Sequence, residues 1–499
     1  TSSLADGAYT IILEVTDNAD NRENPAITRA VTVDSSGPVT AFSSFTEVTG
    51  TGYTHPSGST MWINPAQSGS FSVTVTATDG GSGVKEVDFP TSIGANWSIN
   101  PTNGVNNSVP GPFSATYSFT ATAANPGPLA ALAVDNATNS SNAAFTISAD
   151  STAPSGATIT YATAVTSGSS VSMTHTTGTD LESGIATRQL QRAQAGYTNG
   201  SCGAYGSFAN IGAANPPSPY VDSTIADGYC YKYQLLVTDN VGNTATATSA
   251  SEVKVDRTAP TGTISASPAG PISGQISVTG TSADTMSGVQ KVDVRYAKSG
   301  GPSGNICLAP SSPTAWTCTW NTALLGAGTD GTYTITLEVT DNAGNRESTT
   351  ISRTIVVDNT PPSTAFSAFV EGAGAQYQHA IGSTMYFNPA QSGSFGVQMT
   401  ASDAGGTGVA DVTFPSITAS GWSGGIGSDT SSPYQSPTNY SWAGAGAGTP
   451  GVVTVTATDN AGASTTATFT VSPDTVAPVN GSITYADRYT SLANTDVVF

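Results

Sequence analysis

Apolar and polar residues alternate in short runs along this chain, and the clearest run is Leu337 to Asn345, LEVTDNAGN. Leu337 and Val339 fall on one face, while Thr336, Glu338 and Thr340 fall on the other, which predicts a half-buried strand. Asp341, Asn342, Gly344 and Asn345 then supply the residues of a tight hairpin turn. Close copies recur as LEVTDNADN from Leu13, LAVDNATNS from Leu132, LLVTDNVGN from Leu235 and TATDNAGAS from Thr456. Five copies predict a repeat protein.

A second marker is an aspartate ahead of a proline-containing link: Asp34, Asp150, Asp256, Asp358 and Asp474. The intervals, 150−34 = 116, 256−150 = 106, 358−256 = 102 and 474−358 = 116, match the size of a two-sheet sandwich domain. A longer period overlies this one, since 341−17 and 389−65 both equal 324, and NPAQSGSF at Asn64 to Phe71 returns unchanged at Asn388 to Phe395. Three domain types, A, B and C, therefore alternate. The expected limits are 1–36 (end of A), 37–152 (B), 153–258 (C), 259–360 (A), 361–476 (B) and 477–499 (start of C). The chain is expected to be a segment of something longer, or to be completed by neighbouring copies, because the end pieces have too few strands to close a sandwich.

Within the full A copy, runs such as GQISVTG, GVQKVDVRY and GTYTITLEV are punctuated throughout by Pro, Gly, Asn and Asp, with no helical period. The expected class is all-β. Asp330-Gly331 before Tyr333, Asp6-Gly7 before Tyr9, and Asp227-Gly228 before Tyr229 read as tyrosine corners.

GTYTITLEVTDNAGN followed by VVDNTPP resembles the bacterial immunoglobulin-like domains found in tandem in large surface proteins and adhesins. The resemblance spans essentially the whole chain and implies tandem immunoglobulin-like β-sandwich domains in an extended rod. It also implies a non-enzymatic stalk or fibre role, with shafts of this kind often stiffened by calcium. Type B departs from the pattern through long inserts at 96–112 and 421–437.

Composition narrows the partners. A net charge of −20 with only 14 Lys plus Arg removes the electrostatic basis for gripping nucleic acid or an anionic membrane surface. No apolar run in the sequence is long enough for membrane insertion. The four cysteines form two local pairs, Cys202 with Cys230 and Cys307 with Cys318, in a pattern that favours disulfides in an oxidising, extracellular or cell-surface compartment.

Candidate chemistry lies in a third recurring aspartate. Asp79, Asp180, Asp284 and Asp403 each precede a Ser-Gly or Thr-Gly turn. In an immunoglobulin-like order this early loop and the hairpin loop share the end at which the chain enters the domain. Four junctions are then expected to gather three carboxylates each: Asp34, Asp79 and Asp135; Asp150, Asp180 and Asp239; Asp256, Asp284 and Asp341; Asp358, Asp403 and Asp459. Three clustered carboxylates repel unless a cation joins them, and hard oxygen ligands suit Ca²⁺. Glu182, Asn136, Asn240, Asn342 and Asn460 are candidates for further ligand oxygens. The same residues alone would also serve as ordinary turn formers.

Catalysis has little support. His55 and His379 are one repeated loop position, His175 stands alone, and the GWSGG around Ser423 lacks the helix that a nucleophile elbow requires. Trp62, Trp97, Trp422 and Trp442 cluster in type B, where core packing is weighed against a sugar-binding platform. Lysine–asparagine crosslinks are not expected, because the second B copy contains no lysine. The expected role is therefore a secreted or surface-anchored stalk whose partners are copies of itself in a fibre, or a surface glycan or protein reached through other regions. The alternatives are a self-assembling filament or surface-layer subunit and an accessory carbohydrate-binding region of a secreted enzyme.

Overall fold

The computed structural model describes residues 4–307 and 314–482 and divides into two compact units, Thr1–Arg257 and Thr258–Phe499. Among the described residues the elements are strands, apart from two short 3-10 turns at Thr322–Leu325 and Ala375–Tyr377. The expected start of a type C domain lies largely outside the described residues.

The first unit opens with a two-stranded sheet, Gly7–Leu13 against Ile27–Val33. Ile11, Leu13 and Val31 are exposed there, whereas their counterparts 324 positions on, Ile335, Leu337 and Ile355, are buried in the full type A sandwich. Next come two packed sheets. Val39–Thr49, Gly69–Thr78, Phe113–Phe119 and Trp97–Asn100 form one, and a six-stranded sheet centred on Ser140–Ala149 and Gly127–Asp135 forms the other. Their inner faces bury Phe71, Val73, Val75, Tyr117, Phe145 and Ile147 in a single core. The type C stretch repeats the plan with Ile185–Thr198 paired along Tyr229–Asp239. Its core holds Leu190, Tyr231, Tyr233, Leu235 and Val237.

The second unit contains the full type A sandwich and the second type B sandwich, with separate cores around Trp316, Tyr333 and Val339 and around Phe395, Tyr440 and Phe469. The alternation expected of LEVTDNAGN holds as far as Val339: Leu337 and Val339 are buried and Thr336 and Glu338 half-exposed in the strand Gly331–Asp341, but Thr340, expected on the outer face, is buried where the strand enters its turn. Early strands also lie parallel to the last strand of their own sandwich, as in Thr60–Ile63 beside Thr146–Ala149 and Thr384–Phe387 beside Thr470–Pro473.

One register feature positions the candidate site. Val84 lies opposite Asp135, Ile185 opposite Asp239, Val289 opposite Asp341 and Val409 opposite Asp459, each beside a local break in register. Such a bulge turns the strand and re-aims its neighbours. It sets the early Gly-containing loop against the hairpin of the adjacent strand in all four domains.

Two disulfides are present. Cys202 and Cys230 have Cα atoms 5.9 Å apart, and Cys307 joins Cys318 on a strand of the facing sheet with a Cα separation of 5.6 Å.

Candidate functional site

Each hairpin aspartate is held by its own turn. Asp239 Oδ1 accepts from the backbone N–H groups of Val241 and Asn243, and Asp459 Oδ1 accepts from those of Ala461 and Ala463. Early-loop aspartates fold back in the same way: Asp79, Asp180, Asp284 and Asp403 each accept from the N–H of the glycine that closes their loop, Gly83, Gly184, Gly288 and Gly408. Those glycines have positive φ, a backbone region that is costly for other residues. This is Asx-turn chemistry, and it leaves carboxylate lone pairs free to face a neighbour.

Linker aspartates reach into the following domain. Asp34 Oδ2 accepts from Ser82 N–H at 2.7 Å, Asp150 Oδ2 from Ser183 N–H at 3.1 Å, and Asp358 Oδ2 from Thr407 N–H at 2.7 Å. Space for Asp34 depends on Gly81, where an added Cβ would sit 2.5 Å from the carboxylate.

The result is three acidic clusters, each inside one unit. Carboxylate oxygens of Asp34, Asp79 and Asp135, of Asp150, Asp180 and Asp239, and of Asp358, Asp403 and Asp459 lie within 4.8 Å of one another. Asp135, Asp150, Asp239, Asp358 and Asp459 are buried. None of these nine aspartates has an ion pair with a basic side chain among the described residues. Asp256 closes the first unit, with its N–H donated to Thr166, while Asp284 and Asp341 belong to the second. Their convergence stays an expectation of the sequence.

Electrostatics within the clusters differ by position. Hydrogen bonds from Ser82 hold the Asp34 carboxyl below its ordinary range. Burial pushes Asp239 and Asp459 up, and the charges of Asp150 in one cluster and of Asp358 and Asp403 in the other add to that effect. Glu182 is raised by its hydrogen bond with Asp150 and then by burial.

The asparagines expected to offer further ligand oxygens also have a structural job, carried by their amide nitrogens. Asn136, Asn240, Asn342 and Asn460 each donate through Nδ2 to two carbonyls of the facing early loop, for example Asn460 to Thr407 at 2.8 Å and Gly408 at 3.0 Å. They staple the two loops together. The bulged register aims the Nδ2 end of each amide at those carbonyls, and the bonds use only that donor end.

Two further sets of residues escaped the sequence reading. Asn139 and Asn243, four residues after the hairpin aspartate, donate both to that aspartate and to the carbonyl of the linker residue Asp34 or Asp150. Asp6, Asp227 and Asp330 accept from the N–H of Ser35, Arg257 and Asn359, the first residue after each linker aspartate. Each of those links is thus pinned back to the domain it leaves. The signals were visible, as an Asn at a fixed offset and an Asp-Gly before a strand, but their partners were not.

Two of the tyrosine corners are formed, with Tyr333 donating to Thr329 O and Tyr9 to Ala5 O. In type C the corner differs from expectation: Tyr229 is 39% exposed, and the buried Tyr231 instead accepts from Ala226 N–H. Alternation in that strand puts the odd positions from Tyr231 onward inside, so the residue at the strand's first position faces out.

The remaining candidates fall to packing. Trp97 meets the rings of Phe71 and Phe119, Trp422 meets Phe387, Phe395 and Trp442, and the indole N–H groups of Trp97, Trp422 and Trp442 donate to backbone carbonyls. Trp62 is half-buried opposite His55. His55 and His379 lie in short strands rather than loops, because each pairs with an aromatic residue across a hairpin. Ser423 sits in a strand paired with Ser441, with no helix after it.

Comparison with known proteins adds a match for one of the domains. A family model described as bacterial Ig-like domain matches residues 260–359. No curated protein matches the chain. Among solved structures, the ICAM-5 D1–D4 ectodomain fragment is 11% identical over 86% of this chain and 98% of its own, with a TM-score of 0.28. The N-terminal eight Ig domains of Down syndrome cell adhesion molecule are 9% identical over 95% of this chain and 53% of their own, at 0.21. Protocadherin gamma B2 extracellular cadherin domains 1–5 are 12% identical over 94% and 87%, at 0.20. Scores this low carry no function across. The two-sheet architecture, the formed tyrosine corner and the family match agree on one point: residues 260–359 are a bacterial immunoglobulin-like domain.

Proposed function

We propose that this chain is a non-enzymatic stretch of an extracellular stalk or fibre, in which Ca²⁺ closes the domain junctions. The observation that carries the reading is the set of three buried or half-buried aspartate clusters, with oxygens within 4.8 Å and no basic side chain paired to them among the described residues. Three carboxylates so placed destabilise one another through like-charge repulsion and burial unless a cation is shared among them. The donors are all hard oxygens, and one oxygen of each aspartate is already oriented by a backbone N–H. That preorganised set suits an ion that takes about 6 to 8 oxygens with flexible geometry.

The chemistry supplied by the bound ion is charge neutralisation and cross-linking of linker, early loop and hairpin. Tying a linker to the next domain removes hinge freedom, which is otherwise the default between domains. The bacterial Ig-like domain and the two disulfides support an extracellular or surface location. No helix among the described residues is long and apolar enough to cross a membrane.

The test is calcium titration of chelated protein. Bound calcium, measured by equilibrium dialysis, is expected together with a raised melting temperature, since a ligand at about 100 times its Kd adds about 2.7 kcal/mol. Absence of binding with unchanged melting would overturn the reading.

A further inference from the structure

The three acidic clusters share a plan, and the position four residues after the hairpin aspartate sets the third apart from the other two. In the first two, the asparagine four positions after the hairpin aspartate donates to its second carboxylate oxygen: Asn139 Nδ2 to Asp135 Oδ2 at 2.9 Å, and Asn243 Nδ2 to Asp239 Oδ2 at 2.7 Å. The same amide nitrogen reaches the linker carbonyl, Asp34 O at 3.0 Å and Asp150 O at 3.1 Å. In the third cluster that position is Ala463. An alanine side chain can make neither bond.

The consequence is visible at Asp459. Only 2% of this residue is exposed, and its Oδ1 is satisfied by two turn N–H groups. Its Oδ2 is buried with no hydrogen-bond partner among the described residues, in a cluster with Asp358 and Asp403. A buried, unpaired carboxylate oxygen retains its full desolvation penalty, and structures rarely leave one so without a reason.

We infer that the junctions depend unequally on a cation: Asn139 and Asn243 partly stand in for the ion by satisfying the hairpin aspartate and adding a second tie to the linker, whereas at Asp358, Asp403 and Asp459 no asparagine does so and Asp459 Oδ2 is left to the ion. This builds on the calcium reading above. Removing the ion leaves the first two junctions held by their asparagine bonds and loosens the third more, since it keeps the Asp358–Thr407 bond and the Asn460 staple but has no counterpart of the asparagine bonds.

Hydrogen exchange read by mass spectrometry on the full chain, in calcium and in chelator, resolves the junctions separately. Chelation is expected to speed exchange at 403–408 and 459–463 roughly tenfold or more, and at 135–139 and 239–243 by less than about threefold, because local opening follows local contacts. Ala463→Asn should bring the third junction to the behaviour of the others, and Asn243→Ala should make the second chelator-sensitive. An equal response at all three junctions, or variants that leave the pattern unchanged, would overturn the inference while bound calcium upheld the underlying reading. No calcium bound and no chelator response anywhere would overturn both.

Discussion

Asparagine and aspartate share the turns of this molecule but act in opposite directions. Aspartates accept backbone N–H bonds and keep oxygens for the junction, while Asn136, Asn240, Asn342 and Asn460 donate to carbonyls across it. Asn342→Ala removes the bonds to Ser287 O and Gly288 O and should cost the type A sandwich about 1–2 kcal/mol in denaturant unfolding. A different polar device lies inside type C. Buried Asp222 takes bonds from Arg192 at 2.8 Å, Tyr233 at 3.0 Å and both the N–H and hydroxyl of Thr224. Arg192→Ala leaves that charge buried without its cation and should destabilise the domain by about 3–5 kcal/mol. Burial alone would raise Asp222, but the bonds from Thr224 and Arg192 outweigh it and hold the carboxyl below its ordinary 3.8. Its contribution is therefore full above that ordinary value and lost as pH falls through the lower folded one. Acid unfolding of the wild type should show this loss, and Asp222→Asn should flatten it.

At the scale of elements, the alternating strands were legible because a half-buried sheet enforces period two. Five LEVTDNAGN-like runs end in the same turn, and the three in the described B and C sandwiches lead directly into a paired strand, as in Gly451–Asp459 and Ser464–Pro473. Type A differs. Its return strand begins only at Ile351, after an isolated bridge between Thr340 and Arg346, and alternation could not reveal that longer excursion. The pins on the linkers were likewise hidden, since Asp330 and Asn359 are 29 residues apart. Asp330→Ala should free the link from Asp358 to Pro362, and limited proteolysis there is expected to speed up by about threefold or more. In the type B sandwich, Trp422→Ala should remove about 3–5 kcal/mol of stability, as measured by thermal and denaturant unfolding, because the ring packs on three other aromatics. A variant of wild-type stability would restore the case for a sugar platform.

For the whole molecule, the repeats, the all-β class, the acidic balance and the paired cysteines were all determined by the sequence alone. Each is either a local periodicity or a count, and neither requires knowledge of which distant residues meet. The roles within the junctions were decided only by tertiary structure. Sheet register and its bulges set which loop faces which hairpin, and this gave four asparagines a stapling role that their spacing did not reveal. It also made Ala463, an unremarked residue in the sequence, the reason that Asp459 has an unpaired oxygen. A side chain's hydrogen-bond partner depends on three-dimensional approach over tens of residues, and spacing along the chain carries no record of it.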